Sequence, residues 1–466
     1  MIRKKNSIKN QNIITIINVL STVILQGLAF FSSPYFSRVL KTENFGVVSV
    51  YVAWVQVVSI VFGLRINGVL IMGQNEYSKE EQQGFQSSVM FLAIISFICF
   101  SGVTFVINYL ILHESVVMLL MILLHGFGQF SVSYANSKFT NEFRADLNFY
   151  LSLFCSISTI ILSVFLISRF HNEVNYWGRI LGEALPYFFI GLVIAAIVLI
   201  KGKVLFDRKY WVFCIPLAIP MVFHGLAGII LNQSDRVMLN MMSSSSLVGI
   251  YSLAYTFSNV VFICWSALNN SWVPFYYEHM RNGELDIIKR KSKNYMELFS
   301  VLCCGFILLS IEVYHLFAGK EYWDGTMLLP IFAMSSFVIF LYSFPVNYEI
   351  FYKKTRSIAN ASIICAATNI GLNFVLIHFF DIYGAAFATL LSYILQMMLH
   401  HSKAIGISKA SNDYTFKLIE CIPYLVLVCG VATMTLLDVS TLIRWSLALF
   451  LGIFEIMRMY RRGRIF

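Results

Sequence analysis

The chain has 466 residues, of which 58% are hydrophobic and 12% charged, and its mean hydropathy is +0.74. So little charge cannot cover a soluble protein of this length, and the composition is typical of a membrane protein. The net charge of +10 does not indicate nucleic-acid binding, because the cations fall in short loops suited to anionic lipid head groups. We therefore expect membrane lipids, and no nucleic acid, as partners.

Apolar runs of about 20 residues, long enough to cross the hydrocarbon core as helices, recur along the whole chain. Runs of this length exclude a transmembrane β-barrel, whose strands alternate polar and apolar residues. We predict an all-α polytopic membrane protein with about fourteen transmembrane helices. The predicted spans are 12–35, 45–73, 86–111, 115–136, 149–168, 176–200, 211–240, 246–277, 294–317, 326–351, 357–380, 384–406, 417–437 and 441–457.

The distribution of Lys and Arg predicts the orientation. Most of the 34 cations fall on one side if the N-terminus is cytoplasmic, so we expect both termini in the cytoplasm. The basic N-terminal segment is followed by an apolar run without a cleavage site, which favours a retained first span over a signal peptide. The nine cysteines lie in or beside spans without metal-ligand spacing, and we expect them to pack in the interior.

Two pairs of segments align without gaps and indicate an internal repeat. The first pair is identical at five of fifteen positions, and the second pair is identical at Gly46/Gly249 and Ser49/Ser252. The pairs are 26–40 (QGLAFFSSPYFSRVL) with 224–238 (HGLAGIILNQSDRVM), and 45–54 (FGVVSVYVAW) with 248–257 (VGIYSLAYTF). The alternative is that apolar sequences align by chance.

The repeat predicts a division into two lobes of six helices each. Spans 1–2 and 7–8 would be copies that cross the membrane in the same direction, an arrangement that alternating-access transporters use. We predict an N-terminal lobe over 1–200, a C-terminal lobe over 201–410 and an appended helix pair over 411–466.

Segments of both repeats resemble a known family. SSPYFSRVLKTENFGVVSVY (32–51) and SDRVMLNMMSSSSLVGIYSLAY (234–255) are similar to Wzx-type O-unit and polysaccharide flippases, as are FAGKEYWDG (317–325) and DIYGAAFATLLSY (381–393). These flippases belong to the superfamily that also includes multidrug exporters and peptidoglycan-precursor flippases. The resemblance covers nearly the whole chain in order.

The resemblance implies a flippase rather than an enzyme. Its substrate would be an undecaprenyl-pyrophosphate-linked oligosaccharide unit, turned from the cytoplasmic to the outer leaflet for O-antigen or capsule-type polysaccharide synthesis. The resemblance also implies a V-shaped arrangement of the lobes, a path lined by helices 1, 2, 7 and 8, and a polysaccharide polymerase and chain-length regulator as partners. The sequence leaves open the sugar unit, the choice between O-antigen, capsule and teichoic-type pathways, and the oligomeric state.

Polar residues within apolar spans are the candidate substrate-binding residues. Arg65 is the sharpest, because an arginine inside a membrane requires a partner or water and its guanidinium suits a pyrophosphate. It could instead reach lipid head groups or pair with a carboxylate. The other candidates could line the path or form interhelical hydrogen bonds. They are Gln26, Asn67, His224, Asn269 and Asn270.

Coupling and gating residues are less visible. Asp235 is the first choice for a proton-responsive group, since a buried carboxylate can hold a proton near neutral pH. Arg38 and Arg236, at the outer ends of spans 1 and 7, could contact substrate, anchor helix ends, or pair with Glu43 and Asp235. We expect no cofactor and no metal site, and either a proton or a sodium gradient as the driving force.

Two other functions compete with the flippase. A multidrug or cation exporter of the same superfamily would carry acidic residues facing its cavity, and few carboxylates fall within the spans. A membrane-embedded glycan polymerase or acyltransferase would need large outer loops with catalytic residues. The predicted loops are short, and no nucleotide-binding motif is present.

Overall fold

The computed structural model describes residues 28, 30–142, 144–171, 173–411, 413–437 and 439–462. These residues form helices joined by short connections, without any strand among them. The helices are α1 (30–39), α2 (Thr42–Phe62), α3 (Ile66–Glu76), α4 (Glu81–Ile107), α5 (Val116–Asn141), α6 (Ala145–Ile167), α7 (Tyr176–Gly202), α8 (Arg208–Met242), α9 (Ser245–Asn282), α10 (Leu285–Phe317), α11 (Leu328–Phe351), α12 (Thr355–Ser411), α13 (Leu418–Leu436) and α14 (Thr441–Arg462). A π-helical segment (Asn108–Leu112) continues α4, and a 3-10 helix (Lys320–Gly325) precedes α11.

Eleven helices within the described ranges are long and apolar enough to cross a membrane. The helix α12 accounts for two predicted spans, because its backbone kinks at Asp381 (φ 46°, ψ −123°). Most of the predicted first span precedes the described residues. The helix α14 is not among the eleven, since it carries Arg444, Glu455 and Arg458 along its length. The prediction of an all-α, multi-pass membrane protein is confirmed.

The predicted second span is broken, which corrects the expectation of one continuous helix over 45–73. The helix α2 ends at Phe62, and Leu64 and Arg65 both take left-handed backbone conformations with φ of 50°. The amide of Arg65 donates to the carbonyl of Ile60 at 3.1 Å, as in a helix ending of the Schellman type. A Cβ atom at Gly63 would lie 2.3 Å from Cδ2 of Phe130, so this turn has room only for glycine.

The chain forms two compact units. Unit 1 contains the described residues up to Ser32 together with Val47–Ser234, and unit 2 contains Ser33–Gly46 and the described residues from Asp235 onward. The core of unit 1 is apolar and aromatic, with Phe85, Phe97 and Phe130 almost fully buried. It is contributed by α2, α3, α4, α5, α7 and α8, whose large side chains interdigitate.

The core of unit 2 surrounds α11. In the most apolar stretch of this helix, 83% of the residues are buried, because α9, α10, α12 and α13 all pack against it. Aromatic rings fill the space between α9, α10 and α11, with Trp272, Tyr295 and Phe344 within 6 Å of one another. A helix covered on all sides explains why α11 is apolar all round.

Gly46 and Gly249, which the repeat alignment matched, pack against each other in unit 2. A Cβ at Gly46 would lie 1.7 Å from the carbonyl oxygen of Ser245, and a Cβ at Gly249 would lie 2.0 Å from that of Thr42. The same alignment pairs Thr42 with Ser245, so the contact is reciprocal, as between two copies of one motif. Beside it, the hydroxyls of Thr42 and Ser246 are 2.7 Å apart. The reciprocity supports the internal repeat.

Candidate functional site

Arg65 lies at the break between α2 and α3 and faces α8 within unit 1. Its side chain is half-buried, and a Cβ at Gly225 would lie 3.4 Å from its Nη1 atom. One turn further along α3, a Cβ at Gly68 would lie 2.3 Å from Cε of Met221. Two glycines therefore let α3 and α8 approach closely, and one of them provides the space in which the guanidinium lies.

The guanidinium of Arg65 has no ion pair or hydrogen bond with any residue that the structure describes. The carboxylate pairing considered from the sequence is therefore not formed by those residues. A guanidinium has five donors in a fixed fork and binds phosphate well. Arg65 is thus a cation at the end of a membrane span that remains available to an anion.

Asn67 and Gln56 hold helices of unit 1 together. Nδ2 of Asn67 donates to Oγ of Ser133 on α5 at 2.9 Å, and the side chains of Gln56 and Gln233 join α2 to α8 at 3.2 Å. These contacts are the interhelical hydrogen bonds that we considered as the alternative to a path lining. Asn67 therefore has a clear structural role beside Arg65.

His224 and Gln26 are the remaining candidates of the first repeat pair. His224 is exposed on α8, directly before Gly225. Gln26 lies outside the described residues. His224 therefore stays a candidate, since it is adjacent in sequence to Gly225, which lies beside Arg65.

Asn269 and Asn270 lie on α9 in unit 2 and differ in their surroundings. Asn270 is exposed, whereas Asn269 is half-buried. In the described part of the chain, neither Oδ1 of Asn269 nor Nε1 of Trp265 has a hydrogen-bond partner, although both atoms are enclosed. These residues are one helical turn apart, so an acceptor and a donor lie close together on α9.

Trp265 was missed by the sequence analysis. A tryptophan in an apolar span is ordinarily a packing residue, and only its unpartnered N–H distinguishes it. The signal that could have found it is the spacing of four residues between Trp265 and Asn269 in CWSALNN. An indole beside an amide suits a sugar, because it offers an apolar face and a donor together.

Asp235 and Arg236 are buried inside unit 2, with exposed fractions of 1% and 6%. The carboxylate of Asp235 accepts hydrogen bonds from the hydroxyls of Tyr251 and Thr389. Nε of Arg236 donates to Oγ of Ser252 at 3.2 Å, and its guanidinium lies 4.6 Å from the ring centre of Tyr255. The Asp-Arg motif therefore connects α8 to α9 and α12.

One oxygen of Asp235 differs from the other. Its Oδ1 atom is enclosed without a hydrogen-bond partner among the described residues. A proton or a monovalent cation could satisfy that oxygen without moving a helix, because two hydroxyls already hold the other oxygen. The described residues contain no group of three or more His, Cys, Asp or Glu side chains arranged for a metal ion.

Arg38 anchors a helix end. Its Nη2 donates to the carbonyl of Leu316 at 2.8 Å, at the C-terminal end of α10. Nearby, the hydroxyl of Tyr322 donates to the carbonyl of Leu40 at 2.7 Å. Cations and hydroxyls at a helix C-terminus satisfy carbonyls that have no partner within the helix. This geometry is the helix anchor considered from the sequence.

A half-buried ion pair in unit 1 and a buried carboxylate–imidazole contact in unit 2 were not predicted. Glu183 pairs with Arg179 at 2.5 Å in unit 1. In unit 2, Glu349 lies 2.7 Å from Nδ1 of His400. The partners are far apart in sequence in the second case, so a pattern of spacing cannot reveal them. Each pair compensates a charge that would otherwise be costly in the membrane.

A carboxylate outside the spans shows a clear electrostatic shift. Asp413 lies between α12 and α13. Burial alone would raise its pKa, but hydrogen bonds from Ser411, Tyr348 and Tyr352 outweigh that effect, so the pKa of Asp413 is lowered. The distance from the Tyr348 hydroxyl to Oδ1 of Asp413 is 2.5 Å. Asp413 is therefore held ionised by three hydroxyl donors.

A model of the family described as "Polysaccharide biosynthesis protein" matches residues 12–279 of the chain. An uncharacterized membrane protein of Haemophilus influenzae is 20% identical over 357 residues, which are 73% of this chain and 84% of that protein. The family model matches α1 to α8 and nearly all of α9, so the matched residues include Arg65, Asp235 and Asn269.

Solved transporter structures have the same fold. "Lipid II flippase MurJ, inward closed conformation" superimposes with a TM-score of 0.73 and 16% identity, covering 96% of this chain and 99% of that one. An inward-facing multidrug resistance MATE family transporter of the MOP superfamily gives a TM-score of 0.60 and 11% identity, covering 85% of this chain and 99% of that one. At these identities, the comparisons define the fold.

Proposed function

This chain belongs to the polysaccharide biosynthesis protein family, and from that premise we propose that it moves a lipid-linked oligosaccharide across the membrane. The substrate would be an undecaprenyl-pyrophosphate-linked repeat unit, carried from the cytoplasmic to the outer leaflet of a bacterial inner membrane. The product would serve O-antigen or capsule-type polysaccharide synthesis. The structural likeness to a lipid II flippase supports a substrate of this class.

The observation that carries this proposal is the guanidinium of Arg65. A hydrated glycan and a pyrophosphate cannot cross hydrocarbon unaided, because each polar group would lose its water. A half-buried arginine without a carboxylate partner in the described chain offers a bidentate contact to a phosphate oxygen. The glycine at position 225 leaves space beside it. Arg65 would hold the pyrophosphate while the polyprenyl tail stays in lipid.

Trp265 and Asn269 would contact the sugars. Their unpartnered donor and acceptor lie one turn apart on α9, and sugar hydroxyls can serve as either partner. Asn270, Gln26 and His224 are further candidates for polar contacts with the substrate. Asn67 would act by holding the α3 segment next to Arg65 through its bond to Ser133.

Asp235 would couple transport to an ion gradient. Its enclosed Oδ1 would take up a proton or sodium ion, while the hydroxyls of Tyr251 and Thr389 hold the other oxygen. Arg236 would act as the neighbouring cation, held by its bond to Ser252. Binding of an ion to a buried carboxylate changes the charge that the surrounding helices must stabilise. Arg38 would anchor the end of α10 through its bond to the carbonyl of Leu316.

A multidrug exporter is the alternative, since a MATE transporter has the same fold. Such a protein needs accessible carboxylates for a cationic drug. The buried carboxylates of the described spans instead have partners: Asp235 has hydroxyls, Glu349 has His400 and Glu455 has Arg458. The connections between helices are short, which argues against an embedded polymerase or acyltransferase.

Deletion of the gene in its own host separates the flippase from the exporter. If the chain is a flippase, lipid-linked oligosaccharide accumulates on the cytoplasmic side, surface glycan falls, and the intact gene restores both. The sensitivity of the cells to cationic drugs stays unchanged. An unchanged glycan together with increased drug sensitivity would contradict the proposal and favour the exporter.

A further inference from the structure

A cavity of about 700 Å³ lies in unit 2 between the two ends of α12. The helix turns back at Asp381, so residues 355–364 near its start line the same cavity as residues 399–403 near its end. This volume falls within the range of about 300–1,000 Å³ that is typical of small-molecule sites. It is far in sequence from Arg65 and Asp235.

Four cations line this cavity and no carboxylate does. They are Lys353, Lys354, Arg356 and Lys403. None of the four forms an ion pair with a residue in the described ranges, although other exposed lysines do, such as Lys209 with Glu81 at 2.9 Å. Four like charges around one cavity repel one another unless an anion lies between them. The lining therefore favours an anionic ligand.

Polar and apolar groups divide the rest of the lining. Ser402 and Asn360 add neutral hydrogen-bonding groups beside the cations. Further along α12, Ala361, Ile364 and Leu399 form an apolar wall, and Ile364 is 49% exposed. Ile364 lies eight residues after Arg356, which is about 12 Å along a helix. The cavity is thus basic at its rim and apolar below it.

We propose that this cavity binds the phosphate head group of an anionic membrane phospholipid, such as phosphatidylglycerol. The four cations and Ser402 would hold the phosphate, and an acyl chain would lie along Ile364 and Leu399. The predicted orientation puts the connection between α11 and α12 at the cytoplasmic surface, where anionic lipids bind basic pockets between helices. The lipid would be a lasting ligand of unit 2 and not the transported substrate, so this inference does not depend on the proposed function.

Lipid binding to the purified full-length protein tests the cavity directly. The test variant is Lys353→Gln/Lys354→Gln/Arg356→Gln, and the matched control is Arg281→Gln/Arg290→Gln/Lys293→Gln. The control removes three exposed cations from another predicted cytoplasmic segment, α9 and α10. Binding of phosphatidylglycerol and phosphatidylcholine is measured by native mass spectrometry. We expect the cavity variant to lose about tenfold or more in phosphatidylglycerol affinity, and the control to change little.

Equal losses in both variants would overturn the proposal, because general surface charge would then recruit the lipid. Equal binding of phosphatidylglycerol and phosphatidylcholine to the intact protein would also overturn it. Competition by undecaprenyl phosphate or inorganic pyrophosphate identifies the source of the phosphate. If undecaprenyl phosphate or inorganic pyrophosphate binds the cavity and phosphatidylglycerol does not, the cavity is a substrate site and the proposal is wrong.

Ile364→Trp provides an independent test that keeps every charge. The larger ring should fill the apolar wall and weaken phosphatidylglycerol binding, while inorganic phosphate still binds the cations as in the intact protein. A variant that binds phosphatidylglycerol normally would contradict the acyl-chain position. Thermal unfolding in detergent without lipid confirms that each variant is folded.

Discussion

Arg65 and Arg236 are both associated with membrane spans, yet their surroundings are opposite. Arg236 is 6% exposed, bonds to Ser252, lies over the Tyr255 ring and follows Asp235 in the chain. Arg65 is half-buried at a helix break, lies beside Gly225, and has no ion pair or hydrogen bond with the described residues. A compensated charge in a membrane holds helices together, whereas an uncompensated one remains available to a ligand. The comparison separates a structural arginine from a candidate substrate residue.

The largest expected effect comes from removing the structural arginine. Arg236→Leu leaves Asp235 buried without its neighbouring cation, and we expect the free energy of unfolding to fall by about 3–5 kcal/mol. The double variant Asp235→Leu/Arg236→Leu should recover part of this loss, since no uncompensated charge remains. Denaturant titrations in detergent measure both. Equal losses in the single and double variants would show that the two charges do not depend on each other.

A side chain at Gly225 tests whether the space beside Arg65 matters. Gly225→Leu would put carbon atoms against Nη1 of Arg65, and we expect the transport rate to fall about tenfold, which corresponds to about 1.4 kcal/mol. Gly228→Leu is the matched control on α8, because nothing lies within 4 Å of a Cβ there. The control should change the rate by less than about twofold. Equal rates in the two variants would contradict a ligand at this position.

Trp265 and Asn67 extend the comparison to neutral groups. Trp265→Phe removes an N–H that has no partner in the described chain, so we expect unchanged stability and a transport rate lowered about fivefold, equivalent to about 1 kcal/mol. Asn67→Ala breaks the bond to Ser133 and should cost about 1 kcal/mol of stability. Unfolding and transport are measured on both variants. A stability loss in Trp265→Phe would assign it to packing.

Asp413 is a carboxylate outside the membrane spans, and its replacement should have the smallest effect on stability. Its pKa is lowered in the folded protein, so the ionised form contributes stability above the unfolded pKa of about 3.9. That contribution is lost as the pH falls through the lowered folded pKa. We expect the melting temperature of the intact protein to fall more than that of Asp413→Asn over this acidic range. If the melting temperatures of the intact protein and of Asp413→Asn fall equally with pH, the hydroxyl contacts to Asp413 are not the cause of the pH dependence.

The sequence predicted the spans well, because continuous apolar runs have few alternatives to a membrane helix. It also matched Gly46 with Gly249, and the structure brings these two residues into contact. The break after Phe62 was not predicted, since glycine occurs within continuous transmembrane helices and the apolar run has no gap there. The crowding of Gly63 against Phe130 explains why glycine stands at the turn, but this contact joins distant parts of the sequence.

The partners of charged residues could not be predicted. Arg444 is 2% exposed and pairs with Glu312 on α10. Arg458 pairs with Glu297 on α10 and with Glu455 on its own helix. The pairs with Glu312 and Glu297 join residues that are more than a hundred positions apart in the sequence. Composition and local spacing contain no information about which helices become neighbours.

Surface glycan display tests the role of Arg65 most directly. Cells that lack their own gene are rescued with the intact protein, Arg65→Ala or Arg65→Lys, all present in the membrane at the same level. The account predicts full display with the intact protein, partial display with Arg65→Lys, and little display with Arg65→Ala, which should accumulate lipid-linked units on the cytoplasmic side. Full display with Arg65→Ala would contradict the assignment of this arginine to the substrate path.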